Sequence, residues 1–182
     1  VHYAFGSKYA FDFTIRADGS TKFGSGHKWG FFPGISGRWN ISDEAFFEPL
    51  KKVISMLAFR PGWGVTGNSS FGEGLIYNQY ASYGSYNGVT AIRPSNLRLT
   101  DIRWEKTKSW NLGFNLNFFD DLLKFDLNIY DKKTTDLLNS GVRVPSTSGF
   151  TSLSSANVGK MTNQGWELFV STSDVLKFGK FH

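Results

Sequence analysis

The chain has 182 residues, enough for one domain, and Phe, Tyr and Trp make up 17% of it. It contains no Cys, which excludes a disulfide framework, a thiolate metal site and a cysteine nucleophile. The formal net charge is +5, but the basic residues are scattered, so a mixed solvated surface is a simpler interpretation than a nucleic-acid-binding stripe. No uninterrupted apolar run is long enough to cross a bilayer as a helix.

Two-residue alternation of apolar and polar side chains predicts six β-strands and the start of a seventh. In the clearest segment, the even positions from 110 to 118 are Trp, Leu, Phe, Leu and Phe, whereas the odd positions from 109 to 117 are Ser, Asn, Gly, Asn and Asn. Successive strand side chains point to opposite faces, so the sheet has one apolar and one polar face. The predicted strands cover residues 3–17, 29–41, 53–66, 109–118, 123–130 and 165–172, and the seventh begins near residue 177.

The connections between the predicted strands alternate in length. Long loops rich in Gly, Ser and Thr are expected at 18–28, 67–103 and 139–160, and short connections at 42–49 and 119–122. Long loops on one rim and short turns on the other are typical of outer-membrane barrels. A soluble β-sandwich is the alternative, because its sheets also have one apolar face.

The tryptophans lie near strand ends or on apolar faces, as an aromatic girdle at a membrane interface would require. They are Trp29, Trp39, Trp63, Trp104, Trp110 and Trp166. In a soluble sheet the same residues would be core aromatics. The pattern therefore favours an all-β outer-membrane barrel, with the sandwich as the alternative.

Two prolines, Pro33 and Pro61, fall inside predicted strands. Proline cannot donate a hydrogen bond to the ladder and is found at sheet edges or bulges. A closed barrel has no edge, so we expect bulges at these positions or strands that begin later.

Motifs for bond chemistry are weak, and we expect no enzyme activity. Residues 62–67 match G-x-G-x-x-G, but a loop follows where a dinucleotide site needs a helix. Residues 25–28 match S-x-x-K without the motifs that accompany it in acyl-transfer enzymes. The three histidines have no metal-ligand spacing, so neither a metal nor a cofactor is indicated.

The loop at 67–103 is the best candidate for binding. Tyr rings offer flat apolar faces with a hydroxyl, and Asn supplies both donors and acceptors, which suits stacked sugar rings or an extended peptide. A loop that packs on itself is the alternative. The candidate substrate-binding residues are Tyr77, Asn78, Tyr80, Tyr83, Tyr86, Asn87 and Arg93.

Basic residues near the predicted loop bases suggest a second partner. Lys22, Lys28, Arg98 and Arg103 lie where strands are expected to leave the membrane. Phosphates of outer-leaflet lipopolysaccharide are the specific partner that these residues favour.

Five ordered segments resemble the SusC/RagA family of TonB-dependent outer-membrane transporters, which are typical of Bacteroidetes. No single segment is decisive, but the order and spacing of all five together are specific to this family. They comprise 16–42 with its Arg-Ala-Asp-Gly-Ser-Thr start, Gly-Val-Thr-Gly-Asn at 64–68, Arg-Trp-Glu-Lys-Thr at 103–107, Tyr-Asp-Lys-Lys-Thr-Thr-Asp-Leu-Leu at 130–138, and 144–168 with Asn-Val-Gly and Asn-Gln-Gly-Trp-Glu-Leu.

The resemblance implies that the chain is all-β, a segment of a large antiparallel transmembrane outer-membrane β-barrel of about 22 strands with a plugged lumen. It also implies active import of a nutrient, usually an oligosaccharide and sometimes a peptide, with a SusD-like surface lipoprotein and TonB as partners. Residues 1–182 would form a late part of the barrel, without the plug domain and the final strands. A TonB-dependent receptor for a siderophore or vitamin and a soluble carbohydrate-binding β-sandwich are the alternative functions.

Overall fold

The computed structural model describes residues 1–150 and 152–173. Within them the strands are β1 His2–Phe5, β2 Tyr9–Gly19, β3 Trp29–Asn40, β4 Ile54–Asn68, β5 Tyr80–Tyr86, β6 Val89–Pro94, β7 Glu105–Phe118, β8 Leu123–Thr135, β9 Leu138–Asn139, β10 Val142–Arg143, β11 Ser152–Leu153, β12 Ala156–Asn157 and β13 Lys160–Thr172. Short 3-10 helices cover Ile41–Asp43, Ala45–Leu50 and Ser146–Ser148. No helix in this described part of the chain has the length and apolar character needed to cross a membrane.

The long strands form one antiparallel sheet. It has seven strands in the order β1-β2-β3-β4-β7-β8-β13, so neighbours in the sheet follow one another along the chain as a meander. Pairing of β7 with β8 runs without a shift from Lys106–Thr135 to Phe118–Leu123. The hairpin β5–β6 and the two-residue ladders β9–β12 and β10–β11 lie outside this sheet.

One face of the sheet carries large apolar side chains that nothing covers. Ile15 is 63% exposed, Trp166 is 70% exposed, and Trp63 and Trp110 are also exposed. A soluble sandwich would bury this face under a second large sheet, whereas among residues 1–150 and 152–173 the strands outside the seven-stranded sheet form only two-stranded ladders. The apolar face therefore suits lipid, and the predicted membrane-barrel segment is confirmed over the sandwich.

The beginning of the chain differs from the prediction of one strand at 3–17. Residues 6–8 form a turn, and β1 pairs back on β2 with Tyr3 opposite Phe11. Gly6 has a φ of 56°, a left-handed conformation that glycine adopts without a Cβ penalty. The predicted start of a seventh strand near 177 lies outside the described residues.

Three strands extend four or five residues further toward the long loops than alternation predicted. β7 begins at Glu105 instead of 109, β8 ends at Thr135 instead of 130, and β13 begins at Lys160 instead of 165. The apolar parity gives way there to Lys and Thr, so the two-residue hydrophobic signal ends although the ladder continues.

Both prolines lie inside long strands, and the expected bulges are absent from their positions. The β3–β4 pairing keeps one register but is interrupted opposite Pro61, between the pairs Ser36–Gly62 and Trp39–Phe59. Pro33 is paired with Ile15 on the β2 side, whereas on the β4 side pairing starts only at Gly34. The sheet thus accommodates proline through unpaired stretches.

The short connections meet at one rim of the sheet, as predicted. The backbone N–H of Asn40 donates to the Lys8 carbonyl at 2.8 Å, and that of Ser173 donates to the Leu122 carbonyl at 2.9 Å. Glu44 accepts hydrogen bonds from the side chains of Tyr9, Lys8 and Trp39 there. These bonds, led by that from Tyr9, lower the pKa of the Glu44 carboxyl below its usual value.

Candidate binding surface on the long-loop rim

The long loops meet at the other rim and share a small hydrophobic core. Phe23, Phe32, Ile102 and Trp104 are buried together, although they come from three separate segments of the chain. The Phe23 and Trp104 ring centroids are 4.8 Å apart, and the Phe32 ring meets Trp104 edge-on at 5.5 Å. We call this packed body the loop plate. Trp104, which was predicted as a girdle residue, is a core residue of the plate.

The plate is rooted in the gap where β3 and β4 separate. Above the Gly34–Gly64 pair the two strands are unpaired, and the Phe32 ring fills the space between them. A Cβ placed on Gly67 would lie 2.0 Å from Cζ of Phe32, so only glycine leaves room for this ring. The sequence therefore places a bulky aromatic and a glycine on opposite sides of one gap.

Hydrogen bonds between side chains and backbone groups join the loops across the plate. The Trp104 Nε1–H donates to the His27 carbonyl at 3.1 Å. The Asn157 amide donates to the carbonyls of Arg103 and Asp136 at 2.7 and 2.9 Å and accepts the Arg103 N–H at 2.8 Å. The loops at 20–28, 69–104 and 136–159 are thus connected, and the plate presents one continuous surface.

A β-hairpin, which we call the arm, projects from the plate and consists of β5 and β6. The loop at 67–103 was predicted without strands, and this part of the prediction is wrong. The missed signal is Asn87-Gly88, whose φ values of 48° and 79° suit the two-residue turn that closes β-hairpins. Tyr- and Ser-rich flanks lack the apolar alternation that would have marked them as strands.

The candidate binding residues are spread over the arm and its base. Tyr80, Tyr83 and Tyr86 are exposed on β5, Asn87 forms the turn, and Arg93 lies on β6. The Arg93 guanidinium carbon lies 4.0 Å from the centroid of the Tyr83 ring, so these two residues are brought together.

The other candidates are not gathered with this pair. Tyr80 pairs with Pro94, the neighbour of Arg93, so the Tyr80 and Arg93 side chains point to opposite faces of the arm. Tyr77 and Asn78 precede the arm, where both are exposed. The arm therefore offers aromatic rings on both of its faces rather than one closed pocket.

Asn96, which was not among the predicted residues, anchors the base of the arm. It is 8% exposed, accepts the Gln79 N–H at 2.8 Å and donates to the Tyr77 carbonyl at 3.1 Å. The Ser95 N–H also donates to the Gln79 carbonyl at 2.8 Å. In the structure, the burial of Asn96 marks it as an anchoring residue. The sequence gives no signal for this role, because Asn is frequent throughout the loop.

Two cavities open in the plate next to the arm. The larger has a volume of about 420 Å³ and is lined by side chains that include Arg98, Asp101 and Asn157. The smaller, of about 230 Å³, is lined by Lys28, Tyr77 and again Arg98. Charged groups, an amide and a phenol around these openings are suited to hydrogen bonding with a polar ligand.

Three of the four basic residues proposed to contact lipopolysaccharide make contacts with the loops of the plate. Lys22 donates to the Phe71 carbonyl at 3.2 Å, Arg98 donates to the Ile76 carbonyl at 3.0 Å, and Arg103 pairs with Asp101. Lys28 remains exposed at the smaller cavity. Lys22 and Arg103 are thus held by contacts within the loops, whereas Arg98 uses its Nε for its bond to the Ile76 carbonyl and remains exposed beside both cavities.

The polar face of the sheet contains a charged network at its middle. Arg60 reaches across β7 to Asp126, with Nη2–O distances of 2.9 and 3.1 Å, and the Asn115 and Asn128 amides each donate to Asp126 at 2.8 Å. Gly113 lies under Arg60, and a Cβ there would lie 3.2 Å from its Nε. The network joins three strands on the face that lines the lumen of a barrel.

Replacing Arg60 with Met in the full-length protein is expected to lower the free energy of unfolding by about 1–2 kcal/mol. The substitution leaves Asp126 charged with only amide donors, and the partial exposure of the pair limits the loss. Urea titration of the folded barrel measures it. Lys132→Met, a polar-face change at a residue whose Nζ lies 5.3 Å from the centroid of the Tyr130 ring, is the matched control. An equal loss of unfolding free energy in both variants would contradict the proposed stabilising role of the Arg60–Asp126 network.

Comparisons with known proteins agree with this architecture. The family model described as "TonB dependent receptor-like, beta-barrel" matches residues 1–179. The chain is 32% identical to TonB-dependent receptor SusC of Bacteroides thetaiotaomicron over 97% of its length, and 35% identical to TonB-dependent receptor P39 of Formosa agariphila over 96%. It spans 18% and 17% of those relatives.

Solved structures agree with the sequence relatives. The RagAB peptide importer in its closed-closed state superposes with a TM-score of 0.84 at 28% identity, over 94% of this chain and 18% of that one. The open-open state gives a TM-score of 0.82 over 93% of this chain. With an open antiparallel sheet, an uncovered apolar face and long loops sorted to one rim, the chain belongs to the TonB-dependent receptor β-barrel family, as a SusC/RagA-type segment of an outer-membrane barrel.

Proposed function

We propose that this chain forms part of the wall and the extracellular loops of an outer-membrane importer that takes up an oligosaccharide. The observation that carries the proposal is the arm, on which Tyr80, Tyr83 and Tyr86 are 62%, 63% and 84% exposed. Aromatic rings left uncovered at a loop rim, where a barrel opens to the exterior, are suited to stack on sugar rings.

The plate supports the same function through its polar cavities. A sugar presents hydroxyl groups that both donate and accept hydrogen bonds. Arg98 and Lys28 supply donors, Asp101 supplies an acceptor, and Tyr77 supplies both. We infer that a ligand stacks on the arm and then hydrogen-bonds to the plate on its way into the lumen.

Two partners belong to this proposal. A SusD-like surface lipoprotein would cover the long-loop rim, and the exposed arm and plate would form its contact surface. TonB would supply energy through the plug domain that the family resemblance implies. The mechanism is binding and gated passage, without bond chemistry in the substrate.

Peptide import is the second candidate, since one solved structure similar to this chain is that of the RagAB peptide importer. The cations Lys28 and Arg98 at the smaller cavity would suit peptide carboxylates. A siderophore or vitamin remains the third substrate class. The substrate classes are separated by ligand screening on the full-length protein with its lipoprotein.

Combined replacement of Tyr80, Tyr83 and Tyr86 by Ala is expected to weaken oligosaccharide binding at least about tenfold, or about 1.4 kcal/mol. The physical reason is the loss of three stacking surfaces that are already exposed and positioned. Isothermal titration of the purified full-length transporter with mixed neutral oligosaccharides, and separately with mixed short peptides, measures the change.

Ile92→Ala is the matched control, because Ile92 is also exposed on the arm, at 71%, but carries no ring. Unchanged oligosaccharide binding in the tyrosine variant would contradict the proposed role of the arm. Binding of peptides but not of oligosaccharides by the wild type would replace the first candidate by the second.

A further inference from the structure

Four lysines form a cluster on the outward face of the sheet, just beyond its apolar part. Register places Lys108 directly opposite Lys133, and one row further toward the loops Lys106 and Lys160 both pair with Thr135. All four share the parity of the lipid-facing residues of their strands, and all four are exposed. We call them the outward lysine cluster.

No ion pair neutralises this cluster in the described part of the protein, although Asp131 lies on the same face one row nearer the apolar part, opposite Trp110. Among residues 1–150 and 152–173, no carboxylate lies within ion-pair distance of any of the four ammonium groups. Like charges directly opposite each other on neighbouring strands, as Lys108 and Lys133 are, destabilise a sheet. An external anion that bridges the two ammonium groups would remove this repulsion.

A groove opens on the same face, one row beneath the tryptophans. Its volume is about 480 Å³, and its lining is almost entirely apolar. Gly37 and Pro61 lie at its floor, where the β3–β4 ladder is interrupted, and neither extends a long side chain outward. Phe11 and Leu112 flank the floor in the same row, while Trp63 and Trp110 stand above it.

The groove and the cluster are aligned along one strand. On β7 the outward residues are Leu112 at the groove, then Trp110, then Lys108 and Lys106. Four residues of a strand span about 13 Å, so an acyl chain in the groove and an anionic group at Lys108 are within one lipid molecule's reach. Long loops face the cell exterior in outer-membrane barrels, which places this alignment in the outer leaflet.

We propose that this face binds a phosphorylated lipid of the outer leaflet, with a phosphate between Lys108 and Lys133 and an acyl chain in the groove. Phosphate supplies the anion that the facing ammonium groups lack, and the apolar lining accepts the chain. Lys106 and Lys160 extend the cationic surface toward further headgroup phosphates. The residues differ from Lys22, Arg98 and Arg103, whose contacts are with the loops of the plate.

Native mass spectrometry of the full-length protein in neutral detergent tests the proposal, with bisphosphorylated lipid A as the probe. Each cationic side chain near an anionic lipid surface contributes about a fivefold gain in affinity, so Lys108→Gln with Lys133→Gln is expected to weaken binding about 30-fold. Both side chains are exposed, so the variant retains its fold. Lys51→Gln with Lys52→Gln, on the opposite rim, makes the same charge change and is expected to bind as the wild type does.

Two further measurements separate binding of the whole lipid from binding of a free anion or of an acyl chain alone. Gly37→Leu fills the groove, where a Cβ meets Pro61 Cγ at an ordinary 3.6 Å, and is expected to reduce lipid A binding while leaving the lysines intact. Lipid A without its phosphates is expected to bind at least about tenfold more weakly. Equal binding of the dephosphorylated lipid, equal binding by the two double-lysine variants, or full displacement of lipid A by millimolar inorganic phosphate would each overturn the proposal.

Discussion

Replacing Phe114 with Arg is expected to destabilise the full-length folded barrel by about 2–4 kcal/mol. Phe114 lies at the middle of β7, opposite Leu127 and Phe59, and its ring centroid is 5.0 Å from that of Phe59. It shares the uncovered apolar face, so a guanidinium there would enter hydrocarbon near the middle of the bilayer. Urea titration of the barrel folded into lipid vesicles measures the loss.

Asn111→Arg is the matched control for the facing of the strand. Asn111 lies on the same strand with opposite parity and is exposed on the polar face, where water fills a barrel lumen. Asn115 is a poorer control because its amide donates to Asp126. The Asn111 variant is expected to lose less than about 1 kcal/mol, on the order of an ordinary surface substitution. Similar losses of stability in both variants would contradict the assignment of one face to lipid and the other to the lumen.

Gly67→Ala is expected to disrupt the loop plate, because the added methyl carbon would lie 2.0 Å from Phe32 Cζ. Phe32 is 5% exposed and packs on Trp104, so its ring has no free space to enter. Overpacking of a filled core destabilises by about 1–3 kcal/mol, and here the strain falls on the contact that joins the loops. Proteolysis of the long loops in the full-length protein measures the change, as a shorter lifetime of the intact chain.

Gly64→Ala, three residues earlier on the same strand, is the comparison for that experiment. Its Cβ would meet Gly34 Cα and the Pro33 carbonyl at 3.8 Å, which is ordinary van der Waals contact. The Gly64 variant is therefore expected to resist protease as the wild type does. If both variants are equally sensitive, the effect reflects a general loss of glycine in β4 and not the fit of Phe32.

Alternation was sufficient to predict the middle of every long strand, because burial against lipid on one face and water on the other imposes a two-residue period. On β7 the pattern from Trp110 to Phe118 predicts both the strand and its facing. The period fails at strand ends, since Lys106 and Lys108 have the parity of Trp110 but lie beyond the apolar layer. There the hydrogen-bonded ladder continues without a hydrophobic signal.

The loop structure was outside what a local pattern can predict. The plate depends on contacts between Phe23, Phe32 and Trp104, which are distant in sequence, and no periodicity links them. The tyrosines of the candidate site are recognisable by residue type, whereas their placement on both faces of the arm requires the register of β5 and β6. Asn87-Gly88 is the local signal of that hairpin, and alternation alone does not detect it.

The base of the arm fixes the two points at which this hairpin joins the plate. The chain leaves the plate at Gln79 and returns at Ser95, and the 2.8 Å hydrogen bond between these residues fixes the spacing of the two crossing points. Asn96 holds the same junction from the plate side. A hairpin of another length or composition could be inserted between the same two points while the barrel wall stays as it is. Under the proposed function, an exchange at this junction would change the ligand contacts without any change in the membrane-spanning strands.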